Sequence, residues 1–304
     1  MKNKKLTVTI GIPAHNEESN IKNLLLSLLK QNTNGFILEE IIVVSDGSID
    51  RTVKYAKSIS TKDKRIKVVD RKNRVGGRLI ENEILNLANS DILIMLDADV
   101  LPVNEVFIEE LVKPIRYNSE VSLVGAKTIP LPANNFFEKV IASSHMFKKS
   151  IYRKINNGDI VYLCHGRARA FSKKLYKNLK FVADCPEDAF SYLFAKKHGY
   201  KFAYADAAKV WFRAASDINE RKSQSEAFLL GIKKLENYFP KSFLKEEFNI
   251  PKNIVLKSIG EFLLKKPIVT LTYVIWLVYI HLFLSSKMSK TDKWEIATST
   301  KKLI

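Results

Sequence analysis

Asp91-Ile92-Leu93-Ile94-Met95-Leu96-Asp97-Ala98-Asp99-Val100 is the stretch whose reading decides the fold. An unbroken apolar run of strand length ends on two carboxylates one residue apart. In open α/β sheets, ligands gather outside the carboxyl ends of the strands. Two carboxylates at such an edge suit a hard divalent cation and, through it, a phosphate or diphosphate.

Working outward, Leu6 to Ile12 reads as a strand that Pro13 closes into the loop Ala14-His15-Asn16-Glu17-Glu18-Ser19. Ile21, Leu24, Leu25, Leu28 and Leu29 then recur at helical spacing, with Ser19 or Asn20 placed to cap the start. Ile41 to Val44 is a second buried strand, leading through Ser45-Asp46-Gly47-Ser48-Ile49-Asp50-Arg51-Thr52 into a helix from Val53 to Ile59. Ile66 to Val69 is a third, followed by Asn73-Arg74-Val75-Gly76-Gly77-Arg78 and a helix through Leu87. This alternation predicts an α/β fold with a doubly wound, mostly parallel sheet and its loops along one edge. Glu17, Asp46 and the Asp97/Asp99 pair then stand at the same end of successive strands, which points to one shared site.

The chain of 304 residues, 46% of them hydrophobic, suffices for one large α/β domain with appendages. Its formal charge of +18 fits a polyanionic partner: nucleic acid, an anionic membrane surface or phosphorylated small molecules. The lysines are spread out, and zinc-finger spacing, an RNP-like aromatic motif and a basic helix are all missing, which argues against nucleic acid. Cys164 and Cys185 imply no disulfide framework, so a reduced compartment is expected. Met1 to Lys5 runs straight into a strand without a signal-peptide core, so the N-terminal domain is expected in the cytoplasm.

Four motifs in order, Ile12-Pro13-Ala14-His15-Asn16-Glu17-Glu18, Val44 to Thr52, Gly76-Gly77-Arg78 with Asn82, and Leu96-Asp97-Ala98-Asp99, resemble the family 2 glycosyltransferases. The nucleotide-sugar-binding fold of that family is called GT-A. Ser45 departs from the pattern, standing where the family commonly has an Asp before the residue that matches Asp46. The resemblance implies a catalytic domain over 1–225, with 1–130 binding the nucleotide sugar and 131–225 forming the acceptor side. It implies a nucleotide-diphosphate sugar donor and a divalent cation, Mn²⁺ or Mg²⁺. Pro13, Glu17 and Asp46 would lie by the base and ribose, Asp97, Ala98 and Asp99 by the ribose, metal and diphosphate, and Arg78 near the phosphates. The motif Asp97-Ala98-Asp99-Val100 also matches the nucleophile motif of haloacid-dehalogenase-like phosphatases, which usually follows the first strand; here three strand–helix units precede it. Gly76-Gly77 fits neither GxGxxG nor GxxxxGK[ST], so a Rossmann dinucleotide site or a P-loop is not supported.

In the second half, Val121 to Ala126 reads as a strand and Phe136 to Arg153 as a helix. Val161 to Phe171 reads as a strand kinked at Gly166, and alternation along it puts Arg167 and Arg169 on one face. Two guanidiniums there call for phosphate or carboxylates, and the resemblance places this strand on the acceptor side. His165 could ligate a metal, or be a packing or hydrogen-bonding residue. Glu187-Asp188 open a helix, where the dipole favours acidic residues in any case. By resemblance, Asp188 is the catalytic base of an inverting transfer, with Glu187 beside it. Tyr200 to Trp211 reads as two short strands. Gln224 matches the start of the family's Gln-x-x-Arg-Trp motif, but Ala227 and Phe228 replace Arg and Trp, which favours single-sugar transfer over processive synthesis.

Apolar stripes flanked by lysines over 226–264 predict interfacial helices. No charged residue lies from Pro267 through Ser286, a run that predicts a transmembrane helix over 267–286, followed by a basic tail over 287–304. The expectation is a membrane-associated hexosyltransferase, catalytic domain in the cytoplasm, acting on a lipid-linked acceptor by metal-assisted inverting displacement. A polysaccharide-synthesising transferase and a non-catalytic nucleotide-sugar-binding protein are the alternatives.

Overall fold

The computed structural model describes residues 5–283 together with Lys301 and Leu303. Eight strands form a single sheet. β1 (Leu6–Ala14), β2 (Phe36–Asp46), β3 (Ile66–Arg71) and β4 (Ile92–Leu96) run parallel in the order β3-β2-β1-β4. All five residues of β4 are buried, as expected for a strand covered on both faces. The order reverses direction between β1 and β4, so the crevice at their carboxyl ends is the topological switch point.

α1 (Ile21–Leu29), α2 (Thr52–Ser60) and α4 (Phe107–Tyr117) cover one face of the sheet. The other face takes α3 (Gly77–Leu87), α5 (Phe136–Tyr152), α6 (Lys173–Tyr176) and α7 (Glu187–Lys197). α3 packs closely because Gly11 of β1 leaves room for the Ile84 side chain, which a Cβ at residue 11 would strike.

Beyond β4 the sheet turns mixed. β7 (Ala168–Ser172) is antiparallel to β4 and to β6 (Val121–Pro130), β8 (Lys201–Phe212) is parallel to β6, and β5 (Val100–Pro102) closes the edge. Two sequence expectations are corrected here. The strand expected from Val161 begins only at Ala168, and Val161–Leu163 is a 3₁₀ turn. The Leu163 carbonyl lies over Gly125 of β6, 2.5 Å from where a Cβ would be, so this segment crosses the face of the sheet and cannot pair within it. Tyr200 to Trp211 forms a single strand, β8, whose register against β6 shifts between Ala126 and Lys127. That irregularity is what broke the alternating pattern.

α8 (Ile218–Leu235), α9 (Lys241–Glu247) and α10 (Lys252–Lys265) follow, and α11 spans Pro267–Phe283. Among the described residues no helix is long and apolar enough to cross a membrane. The predicted span over 267–286 therefore corresponds to α11, its last three residues lying outside the described ones, as does most of the 287–304 tail. α11 packs on α5: Thr270 and Tyr273 are buried there, against Ser143, Ser144 and Phe147, while Ile268, Leu271 and Ile275 are exposed.

Candidate active site

The loops after β1 and β2 are locked to each other by side chains that the motifs contain. Asn16, at a φ of 53°, donates its N–H to Ser48 Oγ (3.1 Å) and accepts from the Ile49 N–H (3.0 Å). The Glu17 N–H donates to Thr52 Oγ1 at 2.6 Å, and the Glu18 N–H to Asp50 at 3.1 Å. Ser45, the departure from the family pattern, donates its hydroxyl to Ser48 Oγ at 2.9 Å. Asp46 is buried, and its two oxygens accept the backbone N–H groups of Val75 (2.6 Å) and Gly76 (3.0 Å). Asp46 thus holds the loop that leads into α3. Gly47 sits at a φ of 61° under the Arg74 backbone, where a Cβ would come within 2.7 Å.

Pro13 lies within β1 opposite Val44, and the strand runs on through Ala14. Glu17 is buried beside it, and burial pushes its carboxyl above the usual range despite two partners. These are Asn20 Nδ2 (2.9 Å) and the Lys301 ammonium (2.8 Å), which also donates to the carbonyls of His15 and Asn16. This contact of a residue so near the end of the chain carries no sequence signal.

Asp97 follows β4 directly, its N–H donating to the Arg167 carbonyl at 3.0 Å, with Ala98 buried and Asp99 beyond. Burial, then Asp99 and Glu187, push Asp97 up to about 7, against Arg167 and Arg169. Burial also raises Asp99; Arg167 and Lys301 oppose the shift and Glu17 adds to it. The carboxylates after β1 and β4 therefore share one field, whereas Asp46 after β2 is taken up by the loop into α3. Arg167 acts on both members of the pair Asp97/Asp99 but does not outweigh burial and the neighbouring carboxylates.

At the start of α7, burial and then Glu187 push Asp188 up to about 6. Its Oδ1 accepts the Ala189 N–H at 2.7 Å. Burial acts to raise Glu187 as well, but Arg78 and Arg169 outweigh it and hold that carboxyl low. Arg78 pairs with the Glu187 carboxylate and donates Nε to the Cys185 carbonyl at 2.9 Å; its charge also reaches Asp97 and Asp188. Arg78 is thus the group that ties α3, the end of β4 and the start of α7 together.

The two arginines expected to share one face separate. Arg169 is fully buried and donates to the Glu187 carbonyl (2.9 Å), Ser191 Oγ (3.0 Å) and Glu81 (3.3 Å). It braces α7 from below and is not placed to meet an acceptor, because α3 supplies a buried carboxylate as its partner. Glu81 itself is pushed up to about 8 by burial and then by Glu187. Arg167 precedes the strand and lies 4.0 Å over the Phe212 ring, with its charge reaching both Asp97 and Asp99. His165 stands beside Arg167 at 3.2 Å, and burial drives its basicity well below the ordinary imidazole value. Gln224 accepts from Arg221 at 3.3 Å on α8. Cys164 and Cys185 are buried free thiols. Among the described residues, no three His, Cys, Asp or Glu side chains converge as a metal cage.

The model of the family described as glycosyl transferase family 2 matches residues 9–180. A glycosyltransferase of Synechocystis, described as uncharacterized, is 32% identical over 116 residues, 38% of this chain and 36% of the relative. Dolichol-phosphate mannosyltransferase of Pyrococcus furiosus is 30% identical over 118 residues, 39% of this chain and 32% of the relative. The matched stretches thus span about a third of these relatives' length. Among solved structures, a mannosyltransferase of Pyrobaculum calidifontis in complex with GDP-Man and Mn²⁺ superimposes with a TM-score of 0.61 at 17% identity, over 93% of this chain and 83% of that one. Its likeness establishes a shared fold. Since the family match takes in more than half of the chain, from β1 through the loop after α6, the chain belongs to glycosyl transferase family 2.

Proposed function

We propose that this glycosyltransferase moves a single sugar from a nucleoside-diphosphate sugar to a lipid-linked acceptor by inverting displacement, with Asp188 as the base. The observation that carries the reading is the shared field of Asp97/Asp99 and Glu187-Asp188, bridged by Arg78. Asp97 and Asp99 fit a divalent cation: they are two half-buried carboxylates one residue apart, whose neighbouring cations do not offset burial and like charge, and Mg²⁺-type sites use one or two carboxylates plus substrate phosphates. When bound, Mn²⁺ or Mg²⁺ neutralises charge that develops on the leaving diphosphate. Asp188 takes the proton of the attacking hydroxyl, and Arg78 adds positive charge near the phosphates. The Pyrobaculum structure with GDP-Man and Mn²⁺ supports the donor class, and the Pyrococcus dolichol-phosphate mannosyltransferase supports the acceptor class. Ala227 and Phe228 in place of Arg and Trp support single transfer over polymer synthesis.

Membrane contact is the second part of the proposal. Leu256, Leu264, Ile268, Leu271 and Ile275 on α10 and α11 are exposed, among the exposed lysines Lys252, Lys257, Lys265 and Lys266. Such a face suits monotopic seating on an anionic, cytoplasm-facing leaflet.

Asp188→Asn tests the chemistry. Transfer from GDP-mannose or UDP-glucose to lipid extract, with Mn²⁺, should be lost while nucleoside-diphosphate binding by calorimetry survives. In the wild type, transfer should fall as pH drops through about 6, where Asp188 takes up its proton. Near-normal transfer by the variant would remove Asp188 as the base.

A further inference from the structure

A second set of titratable side chains, buried Lys149 and the half-buried His145, Arg167 and Arg221, lies beside the carboxylates, and all of it is basic. On α5, His145 meets Thr128 Oγ1 at 2.8 Å, and the Lys149 ammonium lies 2.6 Å from the same oxygen while also donating to the Thr128 carbonyl. Lys149 is only 6% exposed. The His145 and His165 rings lie 5.7 Å apart, and His165 leads on to Arg167. Arg221 of α8 lies within electrostatic reach of Arg167, and its Nε is buried without a hydrogen-bond partner.

Among the described residues no carboxylate stands within ion-pair distance of Arg167, Lys149 or Arg221. Asp206, whose charge does reach Lys149, is already paired with Lys127 at 3.0 Å and with Arg153 at 3.2 Å. Burial and the neighbouring cations push Lys149 well below the usual ammonium range and lower His145 likewise. Buried cations without counterions are costly unless an anion arrives to pair with them.

The position of the cluster says where that anion comes from. On one side the charge of Arg167 reaches Asp97 and Asp99; on the other, the charge of Arg221 reaches Tyr273 of α11. α11 packs on α5, the helix that carries His145 and Lys149, and turns Ile268, Leu271 and Ile275 outward. We propose that Arg167, Arg221, Lys149 and His145 form a subsite for the phosphate group of a lipid-phosphate acceptor, whose hydrocarbon chain runs out along α11. This rests on the sugar-transfer reading and narrows its acceptor to an anionic lipid. Arg169 is not part of the subsite.

The test is calorimetric titration of the full chain with farnesyl phosphate, farnesol and inorganic phosphate, each with and without saturating nucleoside diphosphate and Mn²⁺. Farnesyl phosphate should bind at least tenfold more tightly than either farnesol or inorganic phosphate. Its binding should take up protons, read as a dependence of the heat on buffer ionisation, because the anion recharges Lys149 and His145. The other groups facing these two are His165, Lys148, Lys127, Arg153, Asp206 and Arg167. Lys149→Met and Arg221→Gln should each weaken farnesyl phosphate at least tenfold and leave nucleoside-diphosphate affinity unchanged.

Equal affinity for farnesol and farnesyl phosphate would overturn the proposal, as would variants that lose nucleoside diphosphate instead, which would assign the cations to the donor. Should Arg221→Gln fail to fold, the Lys149→Met titration decides by itself. If the wild type binds no nucleoside diphosphate, the sugar-transfer reading fails; the farnesyl phosphate titration judges the subsite separately.

Discussion

Arg169 shows how a single residue changes role once its surroundings are known. A guanidinium on a strand beside the site invites an acceptor role, but this one is matched by Glu81 and bonded to the first turn of α7. Arg169→Leu should therefore act on stability first. It leaves buried Glu81 with Arg78 alone, 3.7 Å away, a loss of up to about 3–5 kcal/mol. Urea unfolding checks this, and a variant of normal stability with weakened acceptor binding alone would return Arg169 to the acceptor side. Asp46 teaches a related lesson. Its two oxygens are used by the Val75 and Gly76 N–H groups, so what Asp46 does is hold the loop that leads into α3.

At the scale of elements, the site exists because β1, α3 and β4 pack closely enough to bring Glu17, Arg78 and Asp97 into one field. Gly11 is the joint: Ile84 of α3 occupies the space that any larger residue would need. Gly11→Ala should lower stability by about 1–3 kcal/mol through overpacking. The same shift of α3 moves Arg78, so nucleoside-diphosphate affinity should fall along with the melting temperature. An Ala variant with wild-type melting would show that α3 can slide freely. The pattern of β4, α3 and their loops was legible because strand length, helical period and turn residues are local properties. The segment before β7 was not. Its residues have strand-like composition, and only the close approach of Leu163 to Gly125 takes them out of the plane of the sheet.

For the whole molecule, a formal charge of +18 and the exposed apolar face of α10 and α11 act together. Anionic vesicles should bind the chain, with affinity falling as salt rises from 50 to 500 mM, because surface attraction is screened within about a Debye length. The triple change Ile268→Glu, Leu271→Glu, Ile275→Glu should abolish vesicle flotation with little effect on melting, since all three side chains are exposed. Unchanged flotation would place the contact elsewhere.

Taken alone, the chain determines the alternation of strand and helix, the edge on which Glu17, Asp97 and Asp99 gather, and the family. Each depends on periodicities and motifs within a few residues. Tertiary structure alone decides which charges are paired. Glu81 meets Arg169 across 88 positions and Lys301 reaches the loop at Asn16 across 285, and neither partnership leaves a local pattern. The same holds for the cations around Thr128, whose want of a counterion appears only when α5, β6, β7 and α8 are assembled. A charge becomes costly only when neighbours remove its water, and those neighbours are chosen by the fold.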